Sequence, residues 1–130
     1  MKFRIAAAVH VVALYGAAFS MSATASAQNA STGERVFNQQ CKNCHTVEKG
    51  APHGIGPNLA GIFGRKAGSV AGFEASEPMK KSGIVWDDKT MAEYLRDPKT
   101  RVPDGTMVFN GLKQAAQLND VIAYLRKVSP

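Results

Sequence analysis

Two cysteines separated by two residues and followed at once by a histidine constrain this chain more than any other feature. They form the sequence Cys41-Lys42-Asn43-Cys44-His45. This spacing is typical of a c-type haem attachment site, where both thiols add across the vinyl groups of one haem and become thioethers. The adjacent imidazole then lies beneath the ring, where its nitrogen can bind the iron. The motif therefore predicts one covalently attached haem, with Cys41 and Cys44 as attachment residues and His45 as an iron ligand.

Three other kinds of site share a pair of cysteines at this spacing. A thioredoxin-like redox pair is expected near a βαβ pattern, and the chain shows no such pattern. A structural zinc site needs four Cys or His ligands, and beyond the motif only His53 remains after residue 27. A small disulfide is the third alternative. Haem attachment uses all three residues of the motif and is therefore favoured.

The first 27 residues have the pattern of a secretory signal peptide. Lys2 and Arg4 precede an apolar run over residues 5–19, and Ala25-Ser26-Ala27 offers a cleavage site. An uncleaved anchor is the alternative, but the run is short for a membrane span, which takes about 20 residues. We expect residues 1–27 to be removed and residues 28–130 to form one small domain in the periplasm. Free thiols tend to oxidise there, and thioether bonds to haem would account for both cysteines.

The expected mature chain carries a moderate positive charge. Without Lys2 and Arg4 it keeps 14 of the 16 basic residues and all 10 acidic ones, which gives a net charge of +4. This charge favours an acidic partner surface. The basic residues are interspersed along the chain rather than clustered, so nucleic-acid binding is not expected.

Local signals predict helices at both ends of the mature chain. Ser31 and Glu34 fit a capping box at the start of a helix over residues 32–42. Gly33 lowers the helix propensity there, for which close packing against another element is one explanation. Apolar residues at helical spacing predict a final helix over residues 115–128. Little strand signal appears, so the predicted class is all-α.

Loops and shorter helices are expected between these two. Residues 48–72 contain seven glycines and two prolines and read as an extended loop. A short helix is predicted near Glu77, with Pro78 at its first position. Asp87 is expected to cap a further helix that ends near Arg96, before Asp97-Pro98.

The second iron ligand has several candidates among the residues. Met91 lies inside a predicted helix, where methionine is most often core, and Met79 has no special setting. His53 is close to His45 in the chain and would need a wide loop to reach the opposite face of the haem. Met107 lies among Pro103 and Gly105 in a turn-rich loop, from which a thioether can reach an iron, and it is favoured. His53 or an empty second position are the alternatives.

The ordered motifs resemble those of small class I cytochromes c of the mitochondrial and bacterial type, from about residue 33 to residue 127. Besides Cys41–His45 they comprise Gly56-Pro57-Asn58-Leu59, residues 61–66, Gly83-Ile84-Val85-Trp86, Tyr94-Leu95, residues 103–109 and Ile122-Ala123-Tyr124-Leu125. The resemblance implies the class I cytochrome c fold. In it the N- and C-terminal helices pack crosswise, while loops and short helices wrap one haem c.

The resemblance also implies roles for residues around the haem. His45 and Met107 would bind the iron, and the Pro57 carbonyl would hold the imidazole. Arg65 and Trp86 would face a buried propionate, and Tyr94 would lie near the Met107 sulfur. The remaining implied roles belong to Ser76 in the cofactor-binding set, Phe109 over the haem edge, and Gly33 and Phe37 packed near Tyr124.

Three positions depart from the family pattern. Ala75 stands where many relatives have a tyrosine that donates to a propionate, and Met79 stands where an asparagine is common. Gly105-Thr106 replaces a threonine-lysine pair just before Met107. These changes bear on the propionate contacts, the reduction potential and the stability of the bond from Met107 to iron, but they remove no expected ligand.

The resemblance implies an electron carrier in electron transport, such as a respiratory chain, and not an enzyme. Its donor would be a cytochrome bc complex or a dehydrogenase, and its acceptor a terminal oxidase, a reductase or a reaction centre. We expect a monomer that docks only transiently at membrane surfaces. By the same analogy Lys42, Lys99, Arg101 and Lys113 would surround the exposed haem edge. A ligand-binding or peroxidatic haem protein with a vacant distal site and a thiol–disulfide module are the other functions considered.

Overall fold

The structure, a computed structural model, describes residues 28–129. These residues form five helices and the loops between them. The helices are α1 (Ala30–Gln40), α2 (Glu77–Lys81), α3 (Asp88–Arg96), α4 (Pro98–Arg101) and α5 (Ala115–Val128). The only β-structure among these residues is an isolated antiparallel bridge between Lys66 and Val85. The all-α class is confirmed. The expected signal peptide lies outside the described residues.

Helix α1 begins two residues before the predicted start, and its N-cap is Asn29 rather than Ser31. The Asn29 side chain accepts hydrogen bonds from the backbone N–H groups of Ser31 and Thr32. The Asn29 N–H itself donates to Asp120 Oδ1 of α5 at 2.7 Å. The capping box of Ser31 with Glu34 was therefore the wrong prediction, because a contact from the far end of the chain holds the helix start at an earlier residue.

Helices α1 and α5 approach closely through a glycine. A Cβ atom on Gly33 would lie 1.9 Å from the backbone oxygen of Asp120 and 2.9 Å from Tyr124 Cβ. One turn along α1, the ring of Phe37 lies 5.4 Å from the ring of Tyr124. The predicted packing of Gly33 and Phe37 against Tyr124 is confirmed, and it explains why a residue of low helix propensity stands in α1.

The core is formed largely by α1, α3 and α5. Leu118 and Val121 of α5 are almost completely buried, and Met91 of α3 is 5% exposed. Met91 is therefore a core residue, as its helical position predicted.

In residues 28–129 no helix is both long enough and apolar enough to cross a membrane.

The shorter helices follow local capping signals. Asp87 caps α3 through a capping box with Thr90, and the helix ends at Arg96, as predicted. Ser76 caps α2, in which Pro78 takes the second rather than the first helical position. The short helix α4 was not predicted. It begins at Pro98 directly after α3, with Asp97 accepting a hydrogen bond from the Thr100 N–H.

Candidate haem site

The two cysteines lie just after the C-terminal end of α1. Cys41 is the C-cap residue and its N–H bonds to the Phe37 carbonyl. The N–H groups of Cys44 and His45 both donate to the Cys41 carbonyl at 3.0 Å, so the motif forms one tight turn. The two thiols are free and half-buried, and do not form a disulfide with each other. Burial, with a smaller effect of Cys44, raises the pKa of the Cys41 thiol to about 11.

The His45 ring is oriented by a backbone carbonyl. Its Nδ1 lies 2.8 Å from the Pro57 oxygen. Because a carbonyl can only accept, Nδ1 carries the proton, and in the neutral ring Nε2 keeps its lone pair. Burial lowers the pKa of His45, which the bond to Pro57 partly opposes. A neutral imidazole with a free Nε2 is the form in which histidine binds a metal.

The loop that carries Pro57 has two organising residues that sequence reasoning did not assign. A Cβ on Gly56 would lie 2.3 Å from His45 Cε1, so the backbone itself covers the imidazole. Asn58 is 8% exposed, and its amide donates to Thr46 Oγ1 and to two backbone carbonyls. The adjacent Gly-Pro-Asn residues indicated a turn, but their contacts depend on segments distant in the chain.

A second loop carries Met107 after a tight turn. Gly105 N–H donates to the Val102 carbonyl at 3.1 Å, and Asp104 adopts a positive φ of 61°. A proline followed by a residue at positive φ is the geometry of a type II turn. This turn brings the half-buried Met107 side chain against the core.

Tyr94 of α3 holds the Met107 sulfur. The phenol donates to Met107 Sδ at 3.2 Å, and the Tyr94 ring lies 5.3 Å from the ring of Trp86. Burial raises the pKa of Tyr94 to about 12, so the phenol remains a donor at neutral pH. A thioether sulfur has a further lone pair, and Met107 can still bind a metal while it accepts this bond.

Trp86 and Arg65 lie on two segments joined by backbone hydrogen bonds. The Trp86 N–H donates to the Arg65 carbonyl at 3.0 Å. Trp86 is 7% exposed, whereas Arg65 is half-buried and donates to the Ala60 carbonyl at 3.2 Å. Arg65 also lines a cleft of about 520 Å³ that includes Lys49 and His53.

The other residues of the expected haem pocket are half-buried. Ser76 Oγ accepts a bond from the Met79 N–H at 3.4 Å, which gives Ser76 a capping role in α2. Met79 and Phe109 are half-buried and pack against the core. Ala75 is also half-buried. Within residues 28–129 the hydrogen bonds of Ser76 are those to the N–H groups of Met79 and Lys80, and none joins it to another expected cofactor-binding residue.

His53, the other candidate for the iron, is occupied by two backbone contacts. Its Nδ1 accepts a bond from the Asn58 N–H at 2.9 Å, so its Nε2 donates to the Ala71 carbonyl at 3.0 Å. With both nitrogens used, His53 ties the loop after His45 to the loop near residue 71. This arrangement favours Met107 over His53 as the second ligand.

Two of the four expected rim cations have partners within the protein. Arg101 pairs with Glu93 at 3.4 Å, and Lys113 donates to the Arg96 carbonyl at 2.8 Å. Lys42 and Lys99 are exposed. Of these four cations, Arg101 therefore has its charge paired with a carboxylate, whereas the carbonyl bound by Lys113 is neutral and leaves the lysine charge in place.

The donors present fit a covalently held haem. Two free thiols stand one turn from an imidazole whose Nε2 is available, and a thioether held by a phenol stands on a second loop. This combination of two sulfur attachment points with one nitrogen and one sulfur ligand matches the chemistry of haem c.

Comparisons with known proteins point to the same group. The family model described as Cytochrome c matches residues 30–129. The chain is 53% identical to "Cytochrome c2 iso-2" of Magnetospirillum fulvum over 68% of this chain and 91% of that protein. It is 44% identical to "Cytochrome c2" of Blastochloris viridis over 81% of this chain and 82% of that protein. It is 43% identical to "Cytochrome c" of Nigella damascena over 79% of this chain and 93% of that protein.

The fold, the chemistry of the site and the similarity to known proteins all indicate the same family. The expected class I cytochrome c fold, the single covalent haem c and the absence of an enzymatic role are confirmed by this match. The spacing of Cys41 and Cys44 accords with the covalent haem. The chain belongs to the cytochrome c family and is a haem-based electron carrier.

Proposed function

We propose that this chain is a periplasmic one-electron shuttle whose haem iron is bound by His45 and Met107. Export follows from the signal-peptide pattern of residues 1–27, and the working domain is then residues 28–130. When bound, the haem supplies a one-electron Fe(III)/Fe(II) couple, and His/Met ligation favours the positive part of the range of haem potentials.

The observation that carries this proposal is the bond from Tyr94 to Met107. The phenol donates to the sulfur at 3.2 Å from a helix that is itself packed in the core. Met107 is thus held in position by a rigid element rather than by its loop alone. On the other side, the Pro57 carbonyl fixes the tautomer and orientation of His45. Two ligands held in this way would change little between redox states, which favours rapid electron transfer.

We propose roles around the haem for the remaining pocket residues. Cys41 and Cys44 attach the haem, while Arg65 and the indole of Trp86 face a propionate. A buried propionate needs such partners, because an unpaired charge is costly in a medium of low dielectric constant. Ser76 contributes to cofactor binding as the N-cap of α2, which positions Met79. Phe109 covers the haem edge.

The partners proposed are redox complexes that the chain meets one at a time. The donor would be a cytochrome bc complex or a dehydrogenase, and the acceptor a terminal oxidase, a reductase or a reaction centre. A monomer with a net charge of +4 after residue 27 would reach acidic docking surfaces by electrostatic attraction and leave them readily. Contact with a membrane surface would be transient.

Replacement of Met107 by alanine tests the ligand set. We expect the oxidised protein to lose the weak long-wavelength absorption band that a thioether–iron bond produces, and to bind added imidazole or azide at the vacated position. Replacement of the core residue Met91 by leucine is the matched control and should keep the band. Survival of the band in Met107→Ala would remove Met107 from the ligand set, and ligand binding by the unaltered protein would favour the peroxidatic alternative.

A further inference from the structure

Two extended segments hold each other through a short antiparallel ladder. The Gly64 N–H donates to the Trp86 carbonyl at 2.7 Å, and the Trp86 N–H donates to the Arg65 carbonyl at 3.0 Å. At the other end of the ladder, the Ala67 N–H donates to the Ile84 carbonyl at 2.8 Å. We call residues 64–67 and 84–86 the Trp86 ladder. It is short, and hydrogen bonds at the ends of so small a ladder open readily unless other contacts hold them.

One side chain of α5 contacts the residues that flank the two segments at the same end of this ladder. Arg126 Nε donates to Asp88 Oδ1 at 2.8 Å. The Arg126 guanidinium carbon lies 3.9 Å from the ring centroid of Phe63. Phe63 immediately precedes one segment, and Asp88 follows the other by two residues. Because the segments are antiparallel, these two positions are adjacent in space, and Arg126 joins them to α5.

We propose that Arg126 is a positioning residue for the haem site, acting through the Trp86 ladder. It holds Phe63 and Asp88 together, and thereby fixes the backbone from which Arg65 and Trp86 extend. The proposal rests on the proposed function, in which those two side chains face a haem propionate. No other role for Arg126 follows from the iron ligands or from the attachment motif.

The chemistry of the contact requires arginine. The guanidinium is planar, so it can stack on an aromatic ring with one face and donate along its edge to a carboxylate. A lysine would keep the charge but would lose the planar contact with Phe63. Both partners of the ion pair are half-exposed, so the pair alone contributes little. The stacking contact and the pair act together on one end of the ladder, and the expected effect is local rather than global.

The test compares four variants of the full haem-loaded protein. Arg126→Lys removes the planar contact and keeps the charge, and Phe63→Leu removes the ring and keeps both charges. Arg126→Gln and Lys127→Gln form a matched pair, because each removes one positive charge from adjacent positions of α5. The measurements are amide hydrogen exchange at Gly64 and Trp86 and the midpoint potential.

We expect Arg126→Lys and Phe63→Leu each to raise exchange at the two ladder amides about three-fold, which corresponds to the loss of one exposed cation–π contact. Both should also lower the midpoint potential, since a propionate less closely paired with Arg65 and Trp86 favours Fe(III). Lys127→Gln should leave ladder exchange unchanged, and Arg126→Gln should lower the potential more than Lys127→Gln does.

The proposal is overturned if Arg126→Lys and Phe63→Leu leave ladder exchange and potential at the values of the unaltered protein. It is also overturned if exchange rises equally at the amides of α1, which would indicate a general loss of stability. Should one variant fail to fold, the other still decides the question. If the unaltered protein shows no reversible one-electron couple, the proposed function fails, while the exchange measurements still test the ladder contact.

Discussion

At the scale of single residues, the attachment motif could be interpreted without the structure, and the family resemblance implied the packing of Gly33 near Tyr124, but nothing in the sequence assigned a role to Gly56. Cys41, Cys44 and His45 are adjacent in the chain, so their chemistry is visible in their order. Gly33 and Gly56 matter because of what lies against them, namely Asp120 and His45. Those neighbours are distant in the chain, and local sequence carries no information about them.

Replacement of Gly33 by alanine should weaken the contact between α1 and α5. The new Cβ would lie 1.9 Å from the backbone oxygen of Asp120, so one helix must shift. Overpacking of this kind costs about 1–3 kcal/mol, which outweighs the gain in helix propensity of about 1 kcal/mol from replacing glycine. Denaturant unfolding would measure the loss. Replacement of the exposed Gln39 of α1 by alanine is the control, and an unchanged midpoint in Gly33→Ala would contradict the close approach.

At the scale of elements, the sequence predicted helix boundaries correctly where the residues that fix them lie in the same helix. It did not do so where a residue of another helix contributes. The start of α3 directly after its N-cap Asp87 follows from the capping residue, and the span of α5 follows from its apolar spacing. The start of α1 does not, because Asp120 of α5 accepts the N–H of Asn29. Helix α4 was missed because Asp97-Pro98 reads as a stop, whereas Pro98 here opens a new turn that Asp97 caps.

Two substitutions at the start of α1 distinguish the observed cap from the predicted one. Asn29→Ala removes the side chain that accepts from the Ser31 and Thr32 N–H groups, and should cost about 1 kcal/mol of unfolding free energy. Ser31→Ala should change it by no more than a few tenths, because the Ser31 hydroxyl donates only to Asn29. A larger loss in Ser31→Ala than in Asn29→Ala would restore the capping box that the sequence predicted.

The caps of α3 and α4 should make stability depend on acid. Hydrogen bonds from Thr90 lower the pKa of Asp87, and hydrogen bonds from Thr100 lower that of Asp97. A carboxylate with a lowered folded-state pKa stabilises the protein above its unfolded pKa of about 4, and this contribution is lost as the pH falls through the folded value. Unfolding free energy should therefore decline below about pH 4, and less steeply in Asp87→Asn. An identical decline in that variant would show that the Asp87 cap is not responsible.

At the scale of the whole molecule, the basic residues could be counted in advance but not their availability. Arg101 forms an ion pair with Glu93, and Lys113, although exposed, donates to the Arg96 carbonyl. Lys42 and Lys99 are exposed as well. Electrostatic attraction should therefore be moderate, and it should depend on a few exposed cations rather than on a continuous ring.

Electron exchange with an acidic partner should slow as salt is added. Exposed charges are screened over about 8 Å at physiological ionic strength, so the second-order rate constant in stopped-flow measurements should fall with ionic strength. Lys99→Gln should reduce both the rate constant at low salt and its salt dependence. Lys127→Gln removes the same charge from α5 and should have the smaller effect. A rate constant that does not fall with ionic strength would count against electrostatic attraction.

The sequence by itself determined the covalent chemistry, the helical class and the family resemblance. These depend on residues that are adjacent or regularly spaced, and such patterns survive without knowledge of the fold. The resemblance had placed Tyr94 near the Met107 sulfur, and the structure agrees. Only the tertiary structure decided that Asp120 accepts the Asn29 N–H, that His53 is occupied by Asn58 and Ala71, and that Arg126 joins Phe63 to Asp88. Each of these contacts joins segments that only folding brings together, so local pattern alone does not specify them.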